Sequence, residues 1–265
     1  MKYLTSEQVT QFDKDGYLVI KGFFNKNEIS ELEQKILDFA KKRPEDWTKG
    51  KEMAYYETIK NNERVLARIE KYVDYHEDFR KIAYSEKIMA CMEELMGESC
   101  LLFKDKINFK RPSGGGFKPH QDMQARWDDF ASYFMNVMIT TDDSSIENGC
   151  LEVAPNHHKR RLIGKYDAPL QGKDLEGMNF IPCPTLKGDV IFFDCFTPHR
   201  SKPNLSNKPR SNIYLTYNRV SEGDHRLEYL ARKRKELPPD NERTESIDFK
   251  DSPLHEIKYK DTRRN

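Results

Sequence analysis

The chain lacks the marks of several protein classes. It has no C-x-x-C pair, and its five cysteines are scattered as Cys91, Cys100, Cys150, Cys183 and Cys195. An odd number without paired spacing argues against a zinc ribbon or a disulfide framework and fits a reducing compartment. No apolar run approaches the length that crosses a bilayer. The opening stretch, Met1-Lys2-Tyr3-Leu4-Thr5-Ser6-Glu7, holds no apolar signal region. A cytoplasmic protein is therefore expected. Net charge is nearly absent too, because 45 basic residues face 44 acidic ones. Nothing global then points to nucleic acid or to an anionic membrane. A small-molecule partner is the expectation, and no repeat or low-complexity segment suggests otherwise.

What is present is a change of pattern along the chain. The 265 residues suit one enlarged domain. Residues 1–99 read as a mainly helical flank, 100–220 as a β core, and 221–265 as a charged C-terminal extension. Thr5-Ser6 ahead of Glu7-Gln8 is a helix start. Asp15-Gly16 stops that helix, and Tyr17-Leu18-Val19-Ile20 is a short strand. Ile29, Leu32, Ile36, Leu37 and Phe39 fall at helical spacing within Asn25 to Lys42. The segment from Asn62 to Met96 reads as helix as well.

From Cys100 onward, short β-type runs alternate with turn residues. They are 101–110, Tyr133–Thr141, Cys150–Val153, Asp189–Asp194 and Asn212–Asn218. Pro112-Ser113-Gly114-Gly115-Gly116 is the clearest turn. Many short strands punctuated in this way predict a barrel or jelly roll and not a βαβ fold. Glu228–Lys235 reads as a helix ended by Pro238-Pro239, and the tail to Asn265 as weakly structured.

The chemistry concentrates in three residues. In a strand, positions i and i+2 face the same side, so His120 and Asp122 present an imidazole and a carboxylate together while Gln121 faces away. His199, on a facing strand, supplies a third ligand. Two His and one carboxylate on one face of an octahedron leave open positions, the arrangement of non-haem Fe(II) oxygenases. An H-x-D triplet alone is a weak signal. It gains weight from Arg210, which opens the strand-like run to Tyr217 and suits bidentate pairing with a carboxylate, and from Ser201, two residues past His199. A dicarboxylate would then chelate the metal at one end and be clamped at the other.

At this point the sequence resembles the phytanoyl-CoA dioxygenase family of Fe(II)/2-oxoglutarate oxygenases. The matching pieces are His120-Gln121-Asp122, Asn148-Gly149-Cys150-Leu151-Glu152-Val153-Ala154-Pro155, and Lys187-Gly188-Asp189-Val190-Ile191-Phe192-Phe193. They continue in His199-x-Ser201-x-x-Asn204-x-Ser206-x-x-x-Arg210, and Phe12-x-x-x-Gly16-Tyr17-Leu18-Val19 fits the family's opening. The likeness spans roughly residues 4 to 220. It implies a double-stranded β-helix (jelly roll, cupin-like) core, mainly β, with N-terminal helices. It implies Fe(II) held by His120, Asp122 and His199, with 2-oxoglutarate and O2 as co-substrates. It assigns the far carboxylate of 2-oxoglutarate to Arg210 with Ser201, and matches Asn136 to a position facing the co-substrate. Relatives that halogenate replace the carboxylate ligand with a small residue, so Asp122 argues against halogenation. Where the family has Pro-Gly-Ser-His, this chain has Pro155-Asn156-His157-His158, and Asn tolerates the left-handed turn.

Within the family, the look is closest to bacterial hydroxylases of small organophosphonates such as 2-aminoethylphosphonate. Phe103–Lys110, Gly116-Phe117-Lys118-Pro119, Thr216-Tyr217-Asn218, Gly223-Asp224-His225-Arg226 and Pro238-Pro239 carry this. The wall read from the residues is basic. Lys104, Lys106 and Asn108 share a strand face, Lys118 precedes His120, and Arg126 and Trp127 follow Asp122. A cationic wall suits a phosphonate or carboxylate, and Trp127 offers a stacking or cation–π surface. The expected reaction is oxidation of a C–H bond, by hydroxylation, in a small charged molecule such as an amino-phosphonate. The same chemistry on an amino acid or alkaloid-like amine, including oxidative cyclisation or desaturation, is the alternative within the class. A catalytically silent β-barrel binding protein, or a zinc hydrolase on the same ligands, is the alternative outside it.

Overall fold

The structure is a computed structural model that describes residues 3–59, 62–159 and 161–243, and the backbone of 255–256. In chain order its elements are α1 (Ser6–Asp15), β1 (Tyr17–Ile20), α2 (Lys26–Lys41), β2 (Met53–Thr58), β3 (Arg64–Glu70), α3 (Glu77–Ala83) and α4 (Glu86–Met96). Then come β4 (Cys100–Lys110), β5 (Gly116–His120), β6 (Phe134–Thr140), β7 (Leu151–Val153), β8 (Ile181–Cys183) and β9 (Val190–Asp194). The last are β10 (His199–Ser201), β11 (Arg210–Arg219), α5 (Arg226–Glu236) and β12 (His255–Glu256). All strand pairs are antiparallel, in a seven-stranded sheet ordered β1-β9-β6-β11-β4-β3-β2 and a five-stranded sheet ordered β12-β5-β10-β7-β8. The expected mainly β double-stranded β-helix with N-terminal helices is what the chain forms.

Local sequence sets the ends of the early helices. Thr5 and Gln8 form a reciprocal capping box on α1, and Asn25 and Glu28 do the same for α2. Gly16 ends α1 at φ 78°, where a Cβ would meet the Thr197 Oγ1 at 2.5 Å, so no other residue fits this stop.

Strand alternation separates two cores. In the large sheet, Lys106, Tyr214 and Met138 lie in one cross-strand row, and Lys104, Thr216 and Asn136 in another on the same face. That face looks toward the small sheet, where Met138, Ile191, Phe193 and Tyr214 pack on Leu151, Val153 and Cys183. The opposite face carries Ile107, Ile213 and Ile139, which join the helix residues Ile29, Leu32, Ile36, Ile88 and Met92 in the larger core. One face is thus apolar under the helices, and the other is polar where the site must be.

Two expectations change. Residues 64–70 form a strand, not helix, so the helical reading of Asn62 to Met96 holds only for α3 and α4. β3 pairs with β4, and β2 with β3, which extends the large sheet into the flank. The tail beyond residue 243, apart from the β12 backbone, lies outside the described residues. The cysteines are buried and free. Among the described residues, no helix is long and apolar enough to cross a membrane. Asn156 does take the left-handed conformation, at φ 65°.

Candidate active site

His120 ends β5, His199 begins β10, and the two are direct cross-strand partners. Their ring centroids are 4.3 Å apart. His120 Nδ1 donates to the Lys118 carbonyl at 2.7 Å, and His199 Nδ1 to the Thr197 carbonyl at 2.9 Å. A carbonyl only accepts, so both rings carry their proton on Nδ1 and leave the Nε2 lone pair free. Asp122 follows in a 3₁₀ turn spanning Asp122–Ala125, not in the strand that an i, i+2 reading supposes. Its Oδ2 lies 3.9 Å from His199 Nε2 and accepts from Asn136 Nδ2 at 3.0 Å. Thr216 Oγ1 in turn donates to Asn136 Oδ1 at 2.7 Å, across the β6–β11 register. Partners of this kind orient metal ligands.

Each of the three residues offers a ligand atom, and these atoms lie within 4.8 Å of one another. Burial pulls the His120 pKa down to about 3, helped by neighbouring His199. Burial also lowers that of His199. Burial works against the charge of Asp122, but Lys106 and the two imidazoles outweigh it and pull the carboxyl down to about 2. Two neutral imidazoles and a charged carboxylate are the protonation states in which these groups ligate a cation. No other His, Cys, Asp or Glu joins the cluster among the described residues, so the donor set fits a metal that keeps open positions.

A cavity of about 290 Å³ opens from this cluster between the two sheets. Lys104, Lys106 and Asn108 of β4 and Tyr214 of β11 line one side, and Phe117 and Ser201 the other. Arg210 sits behind the lining, 3% exposed. Its Nε donates to the Asn148 carbonyl at 3.2 Å and its Nη2 to the Gly149 carbonyl. It makes no ion pair among the described residues, so this buried cation still lacks an anion. Lys110 Nζ donates to Ser201 Oγ at 2.9 Å, placing a second cation beside it. An arginine without a carboxylate, next to a hydroxyl on the cavity wall, fits the distal end of a dicarboxylate.

The wall is charged further up. Glu70 of β3 is fully buried and lies 2.6 Å from Lys233, 3.4 Å from Arg68 and 3.7 Å from Lys104. Burial opposes its charge, but Lys104, Lys233 and Arg68 outweigh that and hold its carboxyl well below the usual range. Lys106 is different. It makes no hydrogen bond or ion pair among the described residues, and its ammonium lies 4.9 Å from the Tyr214 ring centroid. Burial pulls it down to about 7.

The structure therefore brings Lys104, Lys106, Asn108 and Trp127 to the cavity, but not Lys118 or Arg126. His199 pairs with His120, yet Ser201 pairs with Phe117, so β5 holds one extra residue there. This bulge turns Phe117 inward and leaves Lys118 exposed. Arg126 sits at φ 57° past the 3₁₀ turn and points outward, 2.7 Å from Asp167. Gln121 does face away from the cluster, but into a buried role. With Gln124 it holds the 161–168 loop over the site through Arg161, Ile163, Lys165 and Ala168.

Sequence reasoning missed Arg68, Tyr229 and Lys233. Arg68 was hidden in a stretch read as helix. Tyr229 and Lys233 belong to α5, read as a charged extension. Their i, i+4 spacing on one helix face was the available signal.

With this geometry in place, the chain can be compared with known proteins. The profile of the phytanoyl-CoA dioxygenase (PhyH) family matches residues 12–212. A 2-aminoethylphosphonate dioxygenase from uncultured bacterium HF130_AEPn_1 is 38% identical over 253 residues, covering 94% of this chain and 95% of that protein. A methylphosphonate hydroxylase from Gimesia maris is 34% identical, covering 88% and 87%. Among solved structures, EctD from S. alaskensis with 2-oxoglutarate and 5-hydroxyectoine superposes with a TM-score of 0.69 at 22% identity. That match covers 83% of this chain and 77% of the other, and it shows a shared fold.

Proposed function

The chain belongs to the phytanoyl-CoA dioxygenase family and is an Fe(II)- and 2-oxoglutarate-dependent dioxygenase, and from that premise we propose that it hydroxylates a C–H bond of a small organophosphonate, the amino-phosphonates included. The silent-barrel and zinc-hydrolase readings give way to family membership. When bound, the iron couples oxidative decarboxylation of 2-oxoglutarate to succinate with transfer of oxygen from O2 to the substrate carbon.

The residues divide this work. His120, Asp122 and His199 hold the iron, and Asn136 keeps the Asp122 carboxylate turned toward it beside the co-substrate. Arg210 and Ser201 take the distal carboxylate of 2-oxoglutarate, a role supported by Arg210 being buried with no ion pair among the described residues. Lys106 receives the phosphonate, with Asn108 and Lys104 on the same strand face and Trp127 backing Lys104. Gln121 and Gln124 hold the covering loop and so limit water at the site.

The observation that carries the substrate class is Lys106, a buried lysine in the cavity that holds the metal cluster, with no hydrogen bond or ion pair among the described residues. A charge so placed is costly until an anion meets it. The relatives named for phosphonates support the same class. The test is succinate formation by the Fe(II) enzyme with 2-oxoglutarate and O2, with 31P detection of product. Phosphonate-dependent succinate and a hydroxylated phosphonate are expected. Stimulation by amino acids or amines but by no phosphonate would replace this reading.

A further inference from the structure

The cavity contains both anionic and aromatic groups, the two devices by which a protein holds a substrate ammonium. Both are already occupied by the protein's own cations. Three carboxylates line the cavity and Glu70 lies just behind it. Asp122 belongs to the metal cluster. Asp167 pairs with Arg126 at 2.7 Å, and Glu236 with Arg232 at 3.0 Å. Glu70 is shared among Lys233, Arg68 and Lys104.

The rings are taken in the same way. Lys104 lies 5.4 Å from the Trp127 ring centroid and 5.5 Å from that of Tyr229. Lys106 covers Tyr214 at 4.9 Å, Arg68 covers Phe117 at 5.4 Å, and Arg232 covers Phe130 at 5.4 Å. Each of the Phe, Tyr and Trp rings lining the cavity thus has a guanidinium or ammonium against it. Around Glu70, Lys104, Arg68 and Lys233 share one carboxylate, with burial pulling the Lys233 amine well below its usual range, and Lys106 adds positive charge while it holds its proton. A substrate ammonium entering here meets like charge, and among the described residues each lining carboxylate and each lining Phe, Tyr or Trp ring is already engaged.

We propose that the cavity recognises its substrate through the anionic group alone, so that between two phosphonates of the same shape it prefers the one without an ammonium. This rests on the organophosphonate reading above and narrows it. The face of α5 bearing Tyr229 and Lys233, outside the family match of residues 12–212, helps impose the preference, because Tyr229 walls the cleft that Lys104 fills and Lys233 occupies Glu70.

Propylphosphonate and 2-aminoethylphosphonate differ in a terminal methyl against an ammonium, which makes them the pair to compare. The measurement is kcat/KM of the Fe(II) enzyme for each at neutral pH, followed by succinate and by 31P product. Propylphosphonate should be favoured by about tenfold or more. In K104M, which uncovers the Trp127 and Tyr229 faces, the ratio should move toward the amine by about tenfold. Equal use of the two, or preference for the amine, in the unaltered enzyme overturns the inference while leaving the organophosphonate reading standing. Turnover of neither overturns that reading and the inference with it. The unaltered enzyme decides the matter even if K104M does not fold.

Discussion

His120 and His199 face each other across β5 and β10, and each fixes its ring by donating Nδ1 to the carbonyl two residues before it. The two imidazoles are therefore aligned by backbone of β5 and of the turn entering β10, and they need no bound ion to set their tautomer. Asp122 stands outside the strands on a 3₁₀ turn, and its orientation comes from the Thr216–Asn136 chain of hydrogen bonds.

Asp122→Ala should abolish 2-oxoglutarate turnover, because it removes the only charged donor of the cluster. Asn136→Ala should keep the donor but loosen it, lowering iron affinity or activity by about 10- to 100-fold. Iron titration together with succinate assay separates the two. Full activity in Asp122→Ala would show that the metal is held elsewhere.

Arg210→Ala should chiefly raise KM for 2-oxoglutarate. A charge-assisted hydrogen bond is worth about 1.5–3 kcal/mol, which corresponds to roughly 10- to 150-fold in binding. Iron affinity without co-substrate should change little, since Arg210 lies behind the cavity wall. An unchanged KM would remove Arg210 from the co-substrate site.

Lys106→Met should raise KM for a phosphonate more than KM for 2-oxoglutarate. Burial pulls the Lys106 amine down to about 7, so in the free enzyme it is charged below neutrality and loses its proton as pH rises. kcat/KM for an anionic substrate should then fall on the alkaline side of pH 7, and Lys106→Met should flatten that limb. An identical alkaline limb in the variant would assign it to another group.

Glu70→Gln should destabilise the fold by about 3–5 kcal/mol near pH 7, because it strands Lys233, Arg68 and Lys104 together in a buried site. The sign of the pH dependence follows from the lowered carboxyl of Glu70. A depressed acid contributes stability that is complete above its unfolded value, near 4.5, and is lost as pH falls through the folded value. The gap in Tm between the variant and the unaltered chain should close as the medium is acidified below that point. A gap independent of pH would mean that shape and not charge is what Glu70 supplies.

Much of the candidate site was legible because the chemistry it suits needs rare residue types at fixed spacing. His120-x-Asp122, His199, Ser201 and Arg210 stand out on that ground, as do the strands that bear them and the capped starts of α1 and α2. Other readings failed for a common reason. Arg64-Val65-Leu66-Ala67-Arg68-Ile69-Glu70 suits a helix or a strand equally well, and its buried place beside β4 decided for strand. Lys118 sits two residues before His120 and should share its face, but an extra residue in β5 opposite β10 turned it out.

The sequence alone thus determined the candidate donor types, their order and the class of fold, since local periodicity and donor chemistry are written along the chain. Only the tertiary structure decided which cations meet which carboxylates and rings. Arg68, Lys104, Lys106 and Lys233 come from three separate elements, and only the pairing of β3 with β4 and the docking of α5 bring them together. Charge at a site depends on distance through space, which spacing along the chain does not encode.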